Sequence, residues 1–133
     1  KLVPIATGVS VAKALSNRGC NPTLKWPNDI FLGDKKSGGI LCESRFSDGL
    51  VKSMVIGIGL NINENNDDFP ESLKGRATSF AIETENSIQR ELICAIILTY
   101  FEQIMRNLEL CINEWLSFCL HLEQLVCRLF FSQ

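Results

Sequence analysis

The segment Met54–Ile62 constrains the fold more than any other part of the sequence. From Ile56 onward, apolar residues occupy every second position, and small or polar residues occupy the positions between them. The two sets are Ile56, Ile58, Leu60 and Ile62, and Gly57, Gly59 and Asn61. Because successive side chains of a strand point to opposite faces, the pattern predicts a strand with one apolar and one nearly bare face. Glycine weakens a strand interior, so either a ligand or a tightly packed helix is expected against the bare face.

Helical periodicity is found on both sides of this strand. Residues Pro4–Arg18 have apolar positions near the helical period, and Gly19 supplies a left-handed stop. A longer amphipathic helix is predicted to follow Asn86 and to continue through Leu108, with Asn86 and Gln89 forming a capping box. Both helices are expected to pack an apolar face against the sheet.

Shorter apolar runs bounded by turn residues predict the remaining strands. They are Leu24–Trp26, Ile30–Leu32, Ile40–Phe46 and the run Leu125–Phe131 near the end of the chain. Gly33-Asp34 predicts a hairpin turn, and Ser47-Asp48-Gly49 predicts a polar loop. The order of helix, strands, long helix and terminal strand favours an α+β fold, with a mixed sheet and helices on one side, over alternating βαβ units.

Composition and charge narrow the range of functions. The chain has 133 residues, of which 46% are apolar, enough for one core of ordinary domain size. A formal net charge of −2 argues against nucleic-acid binding through this region. The apolar stretch Leu92–Leu98 is far shorter than the about 20 residues that cross a bilayer, and no signal peptide opens the chain. The start at Lys1 and the final apolar run predict a chain cut at both ends.

The six cysteines form no recognisable disulfide or zinc pattern. They stand at positions 20, 42, 94, 111, 119 and 127, without a Cys-x-x-Cys pair. Cys42 and Cys94 fall in apolar periodic segments, where a reduced thiol packs as a small hydrophobic group, so a reducing cytoplasm is expected. Cys119 and His121 could bind a metal, but two ligands do not complete a tetrahedral site, and buried packing is favoured.

Two other segments have alternative interpretations. The polar residues 63–75 predict a surface loop, which is either a lid over a site or, slightly favoured, an ordinary solvated loop. Gly57-Ile58-Gly59 begins like the dinucleotide-binding pattern Gly-x-Gly-x-x-Gly. However, Ile62 stands where the last glycine belongs, and a polar loop follows where a helix should begin. A dinucleotide-binding fold is therefore disfavoured.

Lys25-Trp26-Pro27-Asn28-Asp29 places a cation, an aromatic ring, an amide and a carboxylate within one short segment. Proline restricts the backbone, so Asn28 and Asp29 are expected to project in defined directions from the end of a strand. The alternative is an ordinary turn, since Asn and Asp after Pro are common turn formers.

Lys35-Lys36-Ser37-Gly38-Gly39 places lysines beside two glycines at the start of a strand. Backbone amides and an ammonium group can converge there on a phosphate or a carboxylate. Taken alone, the segment fits a solvated lysine pair in a hairpin better than an anion site.

Three segments together resemble the biotin–protein ligase family in order and spacing: Lys25–Asp29, Lys36–Leu41 and Gly57–Asn61. Ala77-Thr78-Ser79 is similar to the next part of that family, and Trp115, Cys119, His121 and Val126 are similar to the start of its small C-terminal barrel. The resemblance implies part of an α+β catalytic domain like that of class II aminoacyl-tRNA synthetases, with a mixed sheet flanked by helices. It further implies that residues 1–112 form the C-terminal part of this domain and that residues 113–133 form a linker and the start of a truncated barrel.

The resemblance also implies a reaction: ATP-dependent biotinylation of a carrier-protein lysine through biotinyl-5′-AMP. Biotin and ATP with Mg²⁺ would be the substrates, without a dedicated metal site in the protein. The partner would be the biotin carboxyl-carrier domain of a carboxylase, and a homodimer is a candidate assembly. Neither nucleic acid nor a membrane is an expected partner of this region.

The matching positions give each candidate residue a role. Lys36 matches the lysine that contacts the biotin carboxylate and the adenylate phosphate, and Asp29 is hypothesised to help deprotonate the incoming lysine. The biotin-binding residues would be Lys36, Gly39, Leu41 and Gly57. The residues on the ATP and adenylate side would be Lys25, Asn28, Asp29, Lys36 and Asn61.

One feature of the family has no counterpart in this sequence. Family members carry an upstream loop rich in Gly and Arg that folds over biotin, and nothing here resembles Gly-Arg-Gly-Arg. The runner-up interpretation is therefore a non-catalytic fragment or interaction domain that keeps the fold and at most binds biotin or its adenylate. A lipoate-transferring relative is disfavoured, because the Lys25–Asp29 motif belongs to the biotin branch.

Overall fold

The computed structural model describes residues 2–119. In chain order the main elements are α1 (Val3–Asn17), β1 (Pro22–Lys25), β2 (Asp29–Leu32), β3 (Lys35–Ser47), β4 (Leu50–Leu60), α2 (Phe80–Thr84), α3 (Arg90–Met105) and α4 (Cys111–Phe118). Short 3-10 helices lie at Asn66–Asp68, Glu71–Leu73 and Leu108–Leu110. Strands and helices follow one another in separate blocks, which confirms the predicted α+β class. Within residues 2–119, no helix is both long and apolar enough to span a membrane.

The strands form one antiparallel sheet in the order β1-β2-β3-β4, so that each strand pairs with the next along the chain. Asp48 and Gly49 both have positive φ angles, 54° and 77°, as a tight hairpin turn between β3 and β4 requires. Parallel pairing occurs in the described range only as single bridges, Leu24 to Cys119 and Lys36 to Ala77. The parallel component of the predicted mixed sheet is thus confined to these bridges.

Helix α1 packs on one face of the sheet because a glycine lets its backbone come close. A Cβ atom built on Gly8 would lie 3.4 Å from Leu24 Cδ1 and 3.7 Å from Ile40 Cδ1. Val9 and Leu15 of α1 are fully buried, and α1 also packs against α3 and α4. The helix ends at Asn17, and Gly19 follows with a φ angle of 88°, as predicted.

The opposite face of the sheet is open around the glycines of β4. Cβ atoms built on Gly57 and Gly59 would meet only atoms of Leu41 and Gly39 within 4 Å. None of the described helices therefore packs tightly over them, which removes the helix alternative for the bare face in this part of the chain. On the other face of β4, Ile56 and Leu60 are half-buried, and Ile58 keeps 38% of its surface exposed.

The long helix differs from its prediction at both ends. Helix α3 begins at Arg90, after a Gln89 that makes no side-chain cap, and the Nδ2 atom of Asn86 instead donates to the Thr84 carbonyl at 2.7 Å. The predicted capping box is therefore wrong, because Asn86 is engaged by the end of α2. Helix α3 stops at Met105, and the chain turns at Asn107 (φ −144°, ψ 70°) before Leu108.

Helix α4 was not predicted. Its Cys111 and Trp115 side chains are buried in the same core as α1 and the sheet. The proposed division between residues 1–112 and 113–133 stays a prediction. His121 and the strand expected at Leu125–Phe131 lie outside the described residues.

The cysteines in the described range are Cys20, Cys42, Cys94, Cys111 and Cys119, and the first four are free thiols. Burial was predicted for Cys42, Cys94 and Cys119. Cys42 and Cys119 are half-buried, so their burial is only partial. The prediction of burial is wrong for Cys94, which is exposed because it follows the buried Ile93 on the outer side of α3. Cys20 is half-buried and Cys111 is buried. No group of three metal-binding side chains occurs between residues 2 and 119.

Candidate active-site groove

A groove on the open face of the sheet collects most of the predicted site residues. It has a volume of about 430 Å³. Its lining residues are Asn28, Asp29, Lys36, Gly39, Ile40, Leu41, Gly57, Ile58 and Gly59. Of the predicted site residues, Lys25 and Asn61 lie outside this lining.

Lys36 and Asp29 form the charged end of the groove. Lys36 Nζ lies 2.6 Å from Asp29 Oδ1, with 48% and 29% of the two side chains exposed. The register of the sheet brings them together: Asp29 pairs with Gly39, and an irregularity after Ile30 then puts Phe31 opposite Lys36. Without that shift, Phe31 would pair with Ser37, and Lys36 would point to the other face of the sheet from Asp29. The ammonium is thus fixed by a carboxylate and still accessible to a dissolved anion.

Asn28 joins the turn before β2 to the middle of β3. Its Nδ2 atom donates to the Ile40 carbonyl at 3.0 Å, and its own carbonyl accepts from the Ile40 amide at 2.9 Å. These two bonds hold the Lys25–Asp29 motif against the groove. The side-chain nitrogen of Asn28 thus stabilises the fold. This agrees in part with the interpretation of the segment as an ordinary turn.

Glycines form the floor of the groove. A Cβ atom on Gly39 would lie 3.5 Å from the Asn28 carbonyl oxygen and 3.8 Å from Asp29 Oδ1. Gly57 pairs with Leu41, whose side chain is 62% exposed beside it. A flat floor next to an accessible apolar side chain suits the ring or chain of a partly apolar ligand.

Lys25 and Asn61 lie outside the groove lining, and both side chains contact other groups of the protein. Lys25 Nζ lies 5.6 Å from the centre of the Phe31 ring, in a cation–π arrangement. Asn61 Nδ2 donates to the Thr78 carbonyl at 3.0 Å, so its side-chain amide is also engaged by the protein.

Sequence reasoning missed the backbone support of Lys36. Lys36 pairs in parallel with Ala77, its N–H donates to the Arg76 carbonyl, and its carbonyl accepts from the Thr78 N–H. The segment Arg76–Thr78 lies in no helix or strand and has no periodicity, so only the match of Ala77-Thr78-Ser79 to the family pointed to it.

The loop at residues 63–75 does not line the groove. Its two 3-10 helices are exposed, but Phe69 between them is buried. Asn63 fixes one end, because its side chain donates to the Ile88 carbonyl at 2.9 Å and accepts from the Ile88 amide at 3.0 Å. The loop is thus anchored and solvated rather than closed over the groove.

A protein-family model described as the Biotin/lipoate A/B protein ligase family matches residues 5–61. The matched range contains every candidate site residue predicted from the sequence. Residues 5–61 of the chain therefore resemble this family. Several of the similar curated proteins are named ligases.

Among curated proteins, the chain is 38% identical over 105 residues to the "Bifunctional ligase/repressor BirA" of Bacillus spizizenii. This alignment covers 79% of the chain but 31% of that relative, so the chain spans about a third of its length.

Solved structures of biotin protein ligases have the same fold. The enzyme of Aquifex aeolicus in complex with biotin and ATP is 30% identical, with a TM-score of 0.66, over 79% of this chain and 43% of that one. The enzyme of Leishmania major in complex with biotinyl-5-AMP is 25% identical, with a TM-score of 0.66, over 87% of this chain and 52% of that one. The predicted resemblance and fold class are therefore confirmed.

Proposed function

We propose that the protein takes part in ATP-dependent biotinylation of a carrier-protein lysine through biotinyl-5′-AMP. One observation carries the proposal: the Lys36–Asp29 ion pair stands at the end of a glycine-floored groove within the family-matched range. Two similar solved structures support it, one in complex with biotin and ATP and the other in complex with biotinyl-5-AMP.

In the first step, a biotin carboxylate oxygen attacks the α-phosphorus of ATP. The new bond joins this oxygen to phosphorus, and the bond to the β-phosphate bridging oxygen breaks to release pyrophosphate. Negative charge gathers where the carboxylate and phosphate meet, and the accessible Lys36 ammonium is placed to offset it. Gly39 and Gly57 leave room for biotin beside Leu41.

In the second step, the carrier lysine attacks the acyl carbon of the mixed anhydride, and AMP leaves. The attacking amine must lose a proton, and the Asp29 carboxylate at the groove edge is our candidate acceptor. Once Lys36 has turned towards the anionic ligand, Asp29 would be free to take that proton.

The finer assignments are part of the same proposal. We propose Asn28, Lys25 and Asn61 for the ATP and adenylate side, although the last two would have to reorient their side chains. Mg²⁺ would arrive with ATP, because residues 2–119 offer no cluster of three metal-binding side chains. The carrier would be a biotin carboxyl-carrier domain. The free thiols of Cys20, Cys42, Cys94 and Cys111 favour a reducing compartment such as the cytoplasm.

The shape of the groove favours a second candidate function, in which the domain only binds biotin or its adenylate. The described residues make a shallow, open groove, and Leu41 in its wall is 62% exposed. An active ligase has to exclude water from the mixed anhydride, which is a reactive intermediate. Transfer of biotin to an amine separates the two functions.

The proposal is tested by calorimetric titration of the chain with a non-hydrolysable biotinyl-adenylate analogue. Replacing Lys36 with Ala removes a charge-assisted contact and should weaken binding about tenfold or more. Lys52→Ala is the matched control, because Lys52 is an exposed lysine on β4 outside the groove lining. Absence of binding by the folded parent chain, or equal binding by Lys36→Ala, would refute the proposed site.

A further inference from the structure

The N–H and the carbonyl of Lys36 both form hydrogen bonds with one short segment. The Lys36 N–H donates to the Arg76 carbonyl at 3.0 Å, and the Thr78 N–H donates to the Lys36 carbonyl at 2.9 Å. Lys36 stands at the second position of β3, where the end of a strand would otherwise fray. The position of its ammonium group in the groove therefore depends on Arg76–Thr78.

The same segment fixes Asn61. The Asn61 side chain donates to the Thr78 carbonyl at 3.0 Å, while its backbone N–H donates to the Ser37 carbonyl at 2.8 Å. The N–H and the carbonyl of Thr78 thus connect Lys36, the candidate catalytic lysine, with Asn61, a candidate adenylate-binding residue. A displacement of Thr78 would move both.

The Thr78 side chain is itself anchored. It is 0% exposed, and its Oγ1 atom donates to Glu83 Oε1 at 2.6 Å. A hydroxyl bonded to a carboxylate makes a short, strong hydrogen bond. Glu83 belongs to α2, whose start is capped by Ser79: the Ser79 Oγ atom accepts from the Ile82 N–H at 3.1 Å and donates to the Glu64 carbonyl at 2.6 Å.

We propose that Thr78, anchored by Glu83, is a positioning residue that sets the place of Lys36 and Asn61 in the groove. It touches no substrate, and it acts through the backbone of Lys36 and the side chain of Asn61. The part of this inference that concerns ligand binding rests on the proposed function. The part that concerns the Lys36 backbone does not.

The test uses two measurements on the chain. The first is hydrogen exchange of the Lys36 amide, and the second is the Kd of a non-hydrolysable biotinyl-adenylate analogue. In Thr78→Val we expect exchange about fivefold faster and a Kd about fivefold higher, the factor that corresponds to about 1 kcal/mol. Thr78→Ser restores the hydroxyl and should bring both values back towards those of the parent chain.

Glu83→Ala provides a second route to the same result, because Glu83 is exposed and its loss removes the acceptor of the Thr78 hydroxyl without replacing a buried side chain. It should reproduce the changes of Thr78→Val, and Glu83→Gln, which keeps an acceptor oxygen, should not. Thr84→Val is the matched control: it removes a threonine hydroxyl from the same helix, where the bonds run to Phe80 and Asn86. Thermal unfolding midpoints of all variants show whether a change is global.

Parent-like exchange and affinity in both Thr78→Val and Glu83→Ala would overturn the inference. So would equal changes in Thr84→Val, because the effect would then be general loosening of α2. If the parent chain does not bind the analogue, the proposed function fails, and the exchange of the Lys36 amide alone still decides whether Thr78 holds that residue.

Discussion

Lys36 and Asp29 lie on adjacent strands, with 2.6 Å between Nζ and Oδ1, at the open face of the sheet. The pair keeps the ammonium in a defined place without removing it from solvent, since 48% of the lysine side chain is exposed. Exposed ion pairs contribute little to stability, so this one is better explained by function than by folding. An anionic ligand would compete with Asp29 for the lysine and release the carboxylate.

Asp29→Asn is expected to slow the transfer of biotin from preformed biotinyl-adenylate to an amine by about 100-fold, because asparagine cannot accept the proton. Supplying the adenylate bypasses the first step. Mass spectrometry of a lysine-containing peptide measures the rate of biotin transfer, and the rate without protein is subtracted. Asp34→Asn, an exposed aspartate in the turn before β3, is the control. Full-rate transfer by Asp29→Asn would remove Asp29 from the mechanism.

The sheet and its two faces were predictable from local patterns. Alternation in Met54–Ile62 gave the open glycine face, and the motifs at Lys25–Asp29 and Lys36–Leu41 gave most of the groove lining. These signals lie within single strands, where side-chain direction follows directly from sequence position.

The features that were missed depend on contacts between distant residues. The irregularity after Ile30 determines which residue of β3 pairs with Phe31, and no residue type in the sequence indicates this irregularity. The break of the long helix near Asn107 contains neither proline nor glycine, while apolar spacing continues to Leu108 and beyond. The parallel bridge from Lys36 to Ala77 joins a strand to a segment without periodicity.

Two glycines of the groove region should respond differently to alanine. A Cβ atom on Gly38 would overlap the Gly59 carbonyl oxygen, so Gly38→Ala should lower the free energy of unfolding by about 1–3 kcal/mol. A Cβ atom on Gly57 would lie 3.7 Å from the Leu41 carbonyl oxygen, an ordinary contact, so the fold should tolerate Gly57→Ala.

Gly57→Ala should nevertheless weaken analogue binding, because its methyl group projects from the floor of the groove. Denaturant unfolding and calorimetry, done on both variants, give the comparison. If Gly57→Ala bound the analogue as tightly as the parent, the ligand would not lie against the floor of the groove.

The thiols should differ in their rates of alkylation. Burial, with a further contribution from nearby Glu83, raises the pKa of Cys20 to about 11. Because the pKa is raised, Cys20 has a smaller thiolate fraction at pH 8 than an ordinary cysteine and should react slowly with iodoacetamide. Cys94 is exposed and should react faster than Cys20.

Peptide mapping by mass spectrometry after timed alkylation measures each cysteine separately. Unfolding in denaturant is the control, since it should bring the rates of Cys20 and Cys94 together. Equal rates in the folded chain would contradict the burial of Cys20.

Trp115 should be essential to the core although it follows residue 112, where the sequence placed a domain boundary. It is 7% exposed, and its ring meets that of Trp26 edge to face, with 6.0 Å between ring centres. Trp26 directly precedes the Pro27-Asn28-Asp29 turn, so α4 contacts the residue next to that turn. Trp115→Ala should lower the free energy of unfolding by about 3–5 kcal/mol.

Asn113→Ala is the matched control, because Asn113 is exposed on the same helix and its replacement should change stability by about 0.5 kcal/mol or less. Denaturant unfolding monitored by circular dichroism compares the two variants with the parent. A Trp115→Ala chain as stable as Asn113→Ala would show that α4 is a separable linker. A selective loss in Trp115→Ala would instead make Cys111–Phe118 part of the domain that carries the groove, and the boundary would move beyond Phe118.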